Sequence, residues 1–339
     1  MKKAILAVLA LASVVACNKS EVLEVAPQKA ISFGNPFVGS ATKAIDPSET
    51  TTYLTNFKVY GALTNEANST VKIFDNTVVY KNSTDVANPI GQTWYYAGTA
   101  VQYWIPGNTY NFAAVVNGDV TAYAACLPEV ISYNVAEQKD LLYAKSDKDI
   151  KPTAENFSSD IAFTFNHLLS KVVFNFENKY PAETNLKIKV EGINIINAAT
   201  GDTYTISTEK WANTSTPVTL SFGNAVSEVN ATNDGAAAEF FTTGNRNSNF
   251  ERLLIPGTYN EIKITFDAKV YMADETTVVD EFVYTTEKPA TIKGITLNAG
   301  YAYSFNVSIG DELTPITFSV SETAINDWTP GANQNITVQ

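Results

Sequence analysis

The sequence predicts an all-β protein made of antiparallel β-sandwiches, and three observations predict it. Apolar residues recur at every second position in short runs, the spacing that places them on one face of a strand. Gly, Pro and Asn separate the runs, as in Ile105-Pro106-Gly107 and Asn117-Gly118, where the backbone must turn. Aromatic residues make up 12% of the 339 residues, with 17 Tyr and 18 Phe, a composition suited to pleated, half-buried surfaces. No long 3.6-residue periodicity competes, and helix is expected for a few turns only, around Ala136 to Leu142.

In chain order, the first element is a leader over residues 1–16. Lys2 and Lys3 precede an apolar run from Ala4 to Ala16, broken only by Ser13. As a helix the run would reach about 20 Å, short of the roughly 30 Å hydrocarbon core. A charged start, a short apolar stretch and small residues at its end describe an export signal. Val14-Val15-Ala16-Cys17 resembles the lipobox of bacterial lipoproteins. That resemblance implies that Cys17 is acylated and becomes the new N-terminus.

Residues 17–43 hold one short alternation, Ile31-Ser32-Phe33, before Gly34 and Pro36. Strand text begins near Tyr53. Phe57 and Val59, then Val71 and Ile73, then Val101, Tyr103 and Ile105 alternate with their neighbours. Tyr110, Phe112, Ala114 and Val116 repeat the pattern up to Asn117-Gly118. A second series opens at Phe163 and Phe165. It continues through Val172, Phe174 and Phe176, then Leu186, Ile188 and Val190, then Ile262, Ile264 and Phe266. Tyr301 to Val307, Ile316-Phe318-Val320 and Ile336-Val338 complete it. The two series echo each other: Ile105-Pro106-Gly107-Asn108-Thr109-Tyr110 against Ile255-Pro256-Gly257-Thr258-Tyr259. The echo divides the chain into a sandwich over 44–160 and another over 161–339.

Composition narrows the chemistry. There are 35 acidic against 23 basic residues, a net charge of -12, which repels phosphate backbones and argues against a nucleic-acid partner. One His and two Cys exclude a Cys/His zinc site. No metal, cofactor or catalytic residue is expected, and the chain is read as a non-enzyme. His167 is read as structural and Cys126 as a small buried apolar residue. The aromatic group Trp94, Tyr95, Tyr96, Tyr103 and Trp104 is read as core and cross-strand pairing. Within it Trp104, facing the side opposite to Tyr103, is the candidate for exposed ligand stacking.

Several segments together resemble the fimbrillin family, the lipoprotein precursors of type V pilus subunits of Bacteroidales. The stretch from Asp160 through Phe163-Thr164-Phe165-Asn166-His167 to Phe174 is similar to the family's central signature. Trp94 to Pro106 with Tyr110-Asn111-Phe112 resembles its aromatic hairpin, and Leu141-Leu142-Tyr143-Ala144 its next landmark. Ile295 to Val307 and Ile316 to Trp328 resemble its C-terminal strands.

The resemblance implies two tandem transthyretin-like β-sandwiches after a lipoprotein signal peptide. It implies a subunit carried to the cell outer membrane surface by lipid on Cys17 and partnered by other pilus subunits. A trypsin-like maturation protease would remove an N-terminal strand, and a neighbour's C-terminal strand would fill the groove. Ile31 and Phe33 suit the removed strand. Ile316, Phe318 and Val320, or Ile336 and Val338, suit the donor. Cuts after Lys19 or Lys29 would leave Ile31 and Phe33 attached, so the expected cut follows Lys43 and the mature chain starts at Ala44. A glycan-binding outer-membrane surface lipoprotein is the alternative, and a glycosidase using paired carboxylates a more distant one.

Overall fold

The computed structural model describes residues 29–38, 54–146, 149–153, 160–213, 215–222, 227–230, 251–274, 276–310, 316–322, 329–330 and 334–335. Cys17, Lys43, Ala44, Ile336 and Val338 lie outside them. The described residues form strands, joined in places by three-residue 3-10 turns. The helix expected near Ala136 is one such turn, Val135–Glu137, stopped by Gln138 in the left-handed region at φ 52°. Among the described residues no helix is long and apolar enough to cross a membrane.

The first sheet runs Phe37–Val38, Thr164–His167, Leu142–Lys145, Thr109–Val116, Asn56–Thr64, Thr70–Tyr80. Alternation sorts its side chains. Phe57, Val59, Phe112, Ala114, Phe163 and Phe165 meet one core, while Tyr60 and Val115 meet another. Pairing leaves this sheet after His167 and begins again at Ser170 in the second sheet. That places Thr164–His167 with the first sheet, past the boundary drawn at 160.

The second sheet runs Glu251–Leu254, Ser170–Asn178, Tyr301–Ile309, Ile316–Glu322, Gln334–Asn335. The third is centred on Lys187–Ala198 and Gly257–Tyr271, with Val278–Tyr284 at one edge. Their facing sides make the larger core. Phe176 meets Phe266 edge-on at 5.4 Å, and Phe174 meets Phe222 at 4.9 Å. Antiparallel pairing dominates, but Ser170–Asn178 runs parallel to Tyr301–Ile309 over eight residue pairs. The long stretch of chain between them gives room for the crossover a parallel pair needs.

A small fourth sheet joins the halves: Asp119–Ala124 and Leu127–Ser132 from the first series pair on to Thr203–Thr205 and Lys210–Ala212 from the second. Asn117-Gly118 is therefore a corner between sheets rather than a hairpin turn. The hairpin turn falls at Ala125 and Cys126, with φ 46° and 66°. Cys126 is half-buried there, not buried as expected.

The Ile-Pro-Gly echo has a physical basis. Tyr110 Oη accepts from the Ile105 N–H at 2.8 Å, and Tyr259 Oη donates to the Ile255 carbonyl at 2.5 Å. In each half a tyrosine, buried at Tyr110 and partly buried at Tyr259, ties its own strand to the residue before Pro-Gly.

Candidate functional site

Ahead of the short strand Phe37–Val38, residues 29–36 make only isolated bridges, yet the segment reaches inside the first core. Ile31 and Phe33 are both 0% exposed. Alternation explains the choice: Ser32, between them, points to the other side, where its Oγ hydrogen-bonds Asp160. Phe33 sits among five rings. It stacks on Phe163 at 6.1 Å and meets Phe74 at 5.6, Tyr96 at 5.7, and Phe57 and Phe112 at 6.4 Å. Burial of each of these two side chains contributes roughly 1.5–3 kcal/mol.

Two distant parts of the chain flank the segment. On one side it runs antiparallel to the stretch carrying Trp94 and Tyr103; on the other it runs parallel to Ile161 and to Thr164–His167. The Ile31 N–H donates to the Gln102 carbonyl at 2.8 Å, and the Trp104 N–H to the Lys29 carbonyl at 3.0 Å. Across the other edge, the Gly34 N–H donates to Ile161 O, the Ile161 N–H to Ser32 O, and the Phe37 N–H to Phe163 O. Each such bond contributes about 1 kcal/mol net. Tyr96 Oη adds a bond to the Ile31 carbonyl at 2.7 Å, and burial pushes that phenol up to about 12. Residues 29–38 thus fill a cleft whose walls belong to residues 94–104 and 160–165.

Trp104 is 2% exposed, which reverses the expectation that it is open for stacking. It packs edge-on to Tyr110 at 4.8 Å and to Phe112 at 6.0 Å, so it lines the cleft core. Tyr103, at 40% exposure, faces out instead. Alternation was right, but the inward side is the one that reaches the Tyr110 ring, and no period fixes that side in an irregular stretch. Trp94 and Tyr96 are buried as expected of core.

The other candidate residues lie elsewhere. Ile316, Phe318 and Val320 belong to a strand that pairs over seven residues with Tyr301–Ile309, in the second sheet and apart from the cleft. His167 is buried, its Nδ1 2.7 Å from Asp140 Oδ2, which fits a structural role at the junction between the first two sheets. The sequence reading did not name Asp160 as a cleft residue. Its signal was present in Asp160-Ile161-Ala162-Phe163, where apolar alternation leaves Asp160 facing the same way as Ser32. Among the described residues, no three His, Cys, Asp or Glu side chains could hold a metal ion.

A family model described as fimbrillin-like matches residues 42–328. No curated protein matches the sequence. Among solved structures, a fimbrial protein from Bacteroides vulgatus ATCC 8482 is similar with a TM-score of 0.60 at 16% identity, covering 86% of this chain and 98% of that one. A fimbrial assembly protein from Parabacteroides distasonis ATCC 8503 aligns over 92% of this chain and 99% of that one, at 10% identity and a TM-score of 0.39. At 16% identity the first likeness is one of fold.

Proposed function

The chain belongs to the fimbrillin-like family, and from that premise we propose that it is a structural or adhesive subunit of a cell-surface pilus that assembles by exchange of β-strands. In this reading the precursor is exported, acylated on Cys17 and displayed at the outer membrane. A trypsin-like protease cuts after Lys43, so that the mature chain starts at Ala44. Residues 29–38 then leave, and the cleft takes a C-terminal strand from a neighbouring subunit.

The observation that carries this reading is the burial of Ile31 and Phe33 in a cleft walled by residues far away in sequence. Lys43 follows that segment in the chain and is the first basic residue after it. Removal of residues 29–38 would bare an aromatic trough together with carbonyls at Gln102 and Ile161 and N–H groups at Trp104 and Ile161. An open edge of that kind recruits a strand. Both halves of the exchange draw on the same physics: apolar side chains at alternate positions and backbone groups that require partners.

The test is limited trypsin digestion of the chain from Asn18 onward, followed by N-terminal sequencing and electrophoresis without boiling. A new terminus at Ala44 and an SDS-resistant ladder are expected. Lys43→Gln should abolish both. A precursor that trypsin leaves whole at Lys43, or a cut chain that stays monomeric, would overturn the reading.

A further inference from the structure

Resting on the reading that the precursor is acylated on Cys17, we propose that one pole of the first sandwich is a membrane-docking surface. Exposed Tyr103 and Ile105 seat there in the headgroup layer of a lipid bilayer. The junction with the second half then faces away from the membrane.

Strand direction defines the pole. Thr109–Val116 starts there, beside the turn Pro106-Gly107-Asn108. It ends about 25 Å away, where Asn117-Gly118 leads into the sheet shared by both halves. The hairpin joining Asn56–Thr64 to Thr70–Tyr80 closes at the same pole, since Thr64 pairs with both Thr70 and Thr109. Its Glu66 reaches the turn: a Cβ on Gly107 would come within 2.8 Å of the Glu66 Oε1. Tyr110 pairs with Ile150, which brings Lys151, Pro152 and Thr153 alongside Pro106 to Asn108, and these six line one cleft. The resident segment enters here too, with the Lys29 carbonyl bonded to the Trp104 N–H and Ala30 facing Tyr103.

The outward side of this pole is apolar. Tyr103 and Ile105 are 40% and 52% exposed, two residues apart, while Trp104 between them is buried. Val71, 49% exposed, lies at the same level: it pairs with Leu63, which pairs with Tyr110, whose phenol holds the Ile105 N–H. A tyrosine with a wet phenol beside an aliphatic side chain suits the boundary between headgroups and acyl chains. The exposed charges at the pole, Lys29, Glu66, Asp149 and Lys151, cancel, whereas the chain as a whole carries -12. The matching surface is therefore a zwitterionic one.

The tether selects this pole. Residues 18–28 are all that separate Cys17 from Lys29, and fully extended they span at most about 40 Å. The other exposed apolar group, Met272, Val278, Val279 and Val283, belongs to the third sheet, past the junction. One acyl chain alone binds membranes marginally, and a second contact makes the hold stable. A cut after Lys43 separates the pole from Cys17, and the pole alone is too weak to retain the mature chain.

The test supplies the lipid chemically, so that it does not depend on native acylation. The chain from Cys17 onward with Cys126→Ser has one thiol, to which a single myristyl chain is coupled through a maleimide. Its partition onto phosphatidylcholine vesicles is measured by flotation beside a peptide of residues 17–28 carrying the same lipid. The whole chain should bind about tenfold more tightly than the peptide. Tyr103→Ser with Ile105→Ser should bring it to the peptide's level, with an unchanged urea midpoint, while Val279→Ser with Val283→Ser should not. On vesicles, amide exchange should slow at residues 65–69 and 103–108 but not at Val278–Tyr284. Equal partition of chain and peptide, tight binding that survives the Tyr103 and Ile105 changes, or protection at Val278–Tyr284 instead would each overturn the docking surface alone. The acylation reading is checked separately by the mass of the Cys17 peptide from exported precursor, and an unmodified Cys17 would overturn that reading.

Discussion

Tyr96 donates its phenol to the carbonyl of Ile31 across 2.7 Å, so the cleft grips its occupant by the backbone as well as by side chains. A carbonyl is common to every residue type, and this contact would therefore serve any strand laid in the cleft. Tyr96→Phe keeps the ring among Phe33 and Phe74 and removes only the donor. The buried carbonyl then loses a partner, a cost of about 1–2 kcal/mol. The urea midpoint of the precursor should fall accordingly. Tyr95→Phe, whose phenol bonds the exposed Gln92 carbonyl, should barely move it.

Phe33→Ala separates socket filling from mere attachment of the segment. Phe33 is fully buried and touches five rings, so its loss should cost about 3–5 kcal/mol. Phe37, four residues along the same segment, is 45% exposed, and Phe37→Ala should change stability by less than about 0.5 kcal/mol. Denaturant unfolding of both variants checks the contrast. Equal losses would mean that the segment contributes through its backbone alone.

Much of the fold was legible because period-2 alternation reports burial directly. Tyr110, Phe112 and Ala114, and likewise Phe163 and Phe165, are buried as their spacing requires. Ile31 and Phe33 were readable for the same reason, although only three residues carried the pattern. Which side faces in was not legible where the chain is irregular, and Trp104 shows this: its neighbours form one isolated bridge rather than a strand. The turn at Ala125 and Cys126 was invisible because neither residue advertises a positive φ. Asn117-Gly118 advertised a turn and makes one, but which sheets it joins is settled by packing of distant segments. The Asp140–His167 contact was hidden for that reason too: the two strands that bring it together are separated by a long stretch of sequence.

Alkali should loosen the fold from within. Burial pushes the phenols of Tyr96, Tyr143 and Tyr204 up to about 12, from the ordinary 10 they regain on unfolding. Between those values the unfolded chain has lost protons that the folded chain still holds. Stability from these groups is complete below pH 10 and declines as pH rises from 10 toward 12. The urea midpoint should therefore be level from pH 8 to 10 and drop steeply above. Tyr96→Phe should make that drop shallower. A midpoint unchanged between pH 10 and 11.5 would contradict this account.

The two halves are held together by a side chain acting as a strand. Gln138 Oε1 accepts from the Leu253 N–H at 2.9 Å, and its Nε2 donates to the Leu253 carbonyl at 3.0 Å and to the Val135 carbonyl at 2.7 Å. Glu251–Leu254 is the edge of the second sheet, so the amide closes an edge that would otherwise need a neighbour. Gln138 also stops the 3-10 turn with φ 52°, a conformation that Gly adopts more readily than Ala. Gln138→Ala should thus lose the three bonds while keeping the left-handed backbone strain that Gln already bears, a cost of about 2–4 kcal/mol. Gln138→Gly loses the same bonds without that strain and should be the milder variant by about 1 kcal/mol. Amide hydrogen exchange at Leu253 should quicken in both to a similar degree, because the lost acceptor is the same. If Leu253 exchange is unchanged while stability falls, the amide supports the turn alone and the edge is closed by other means.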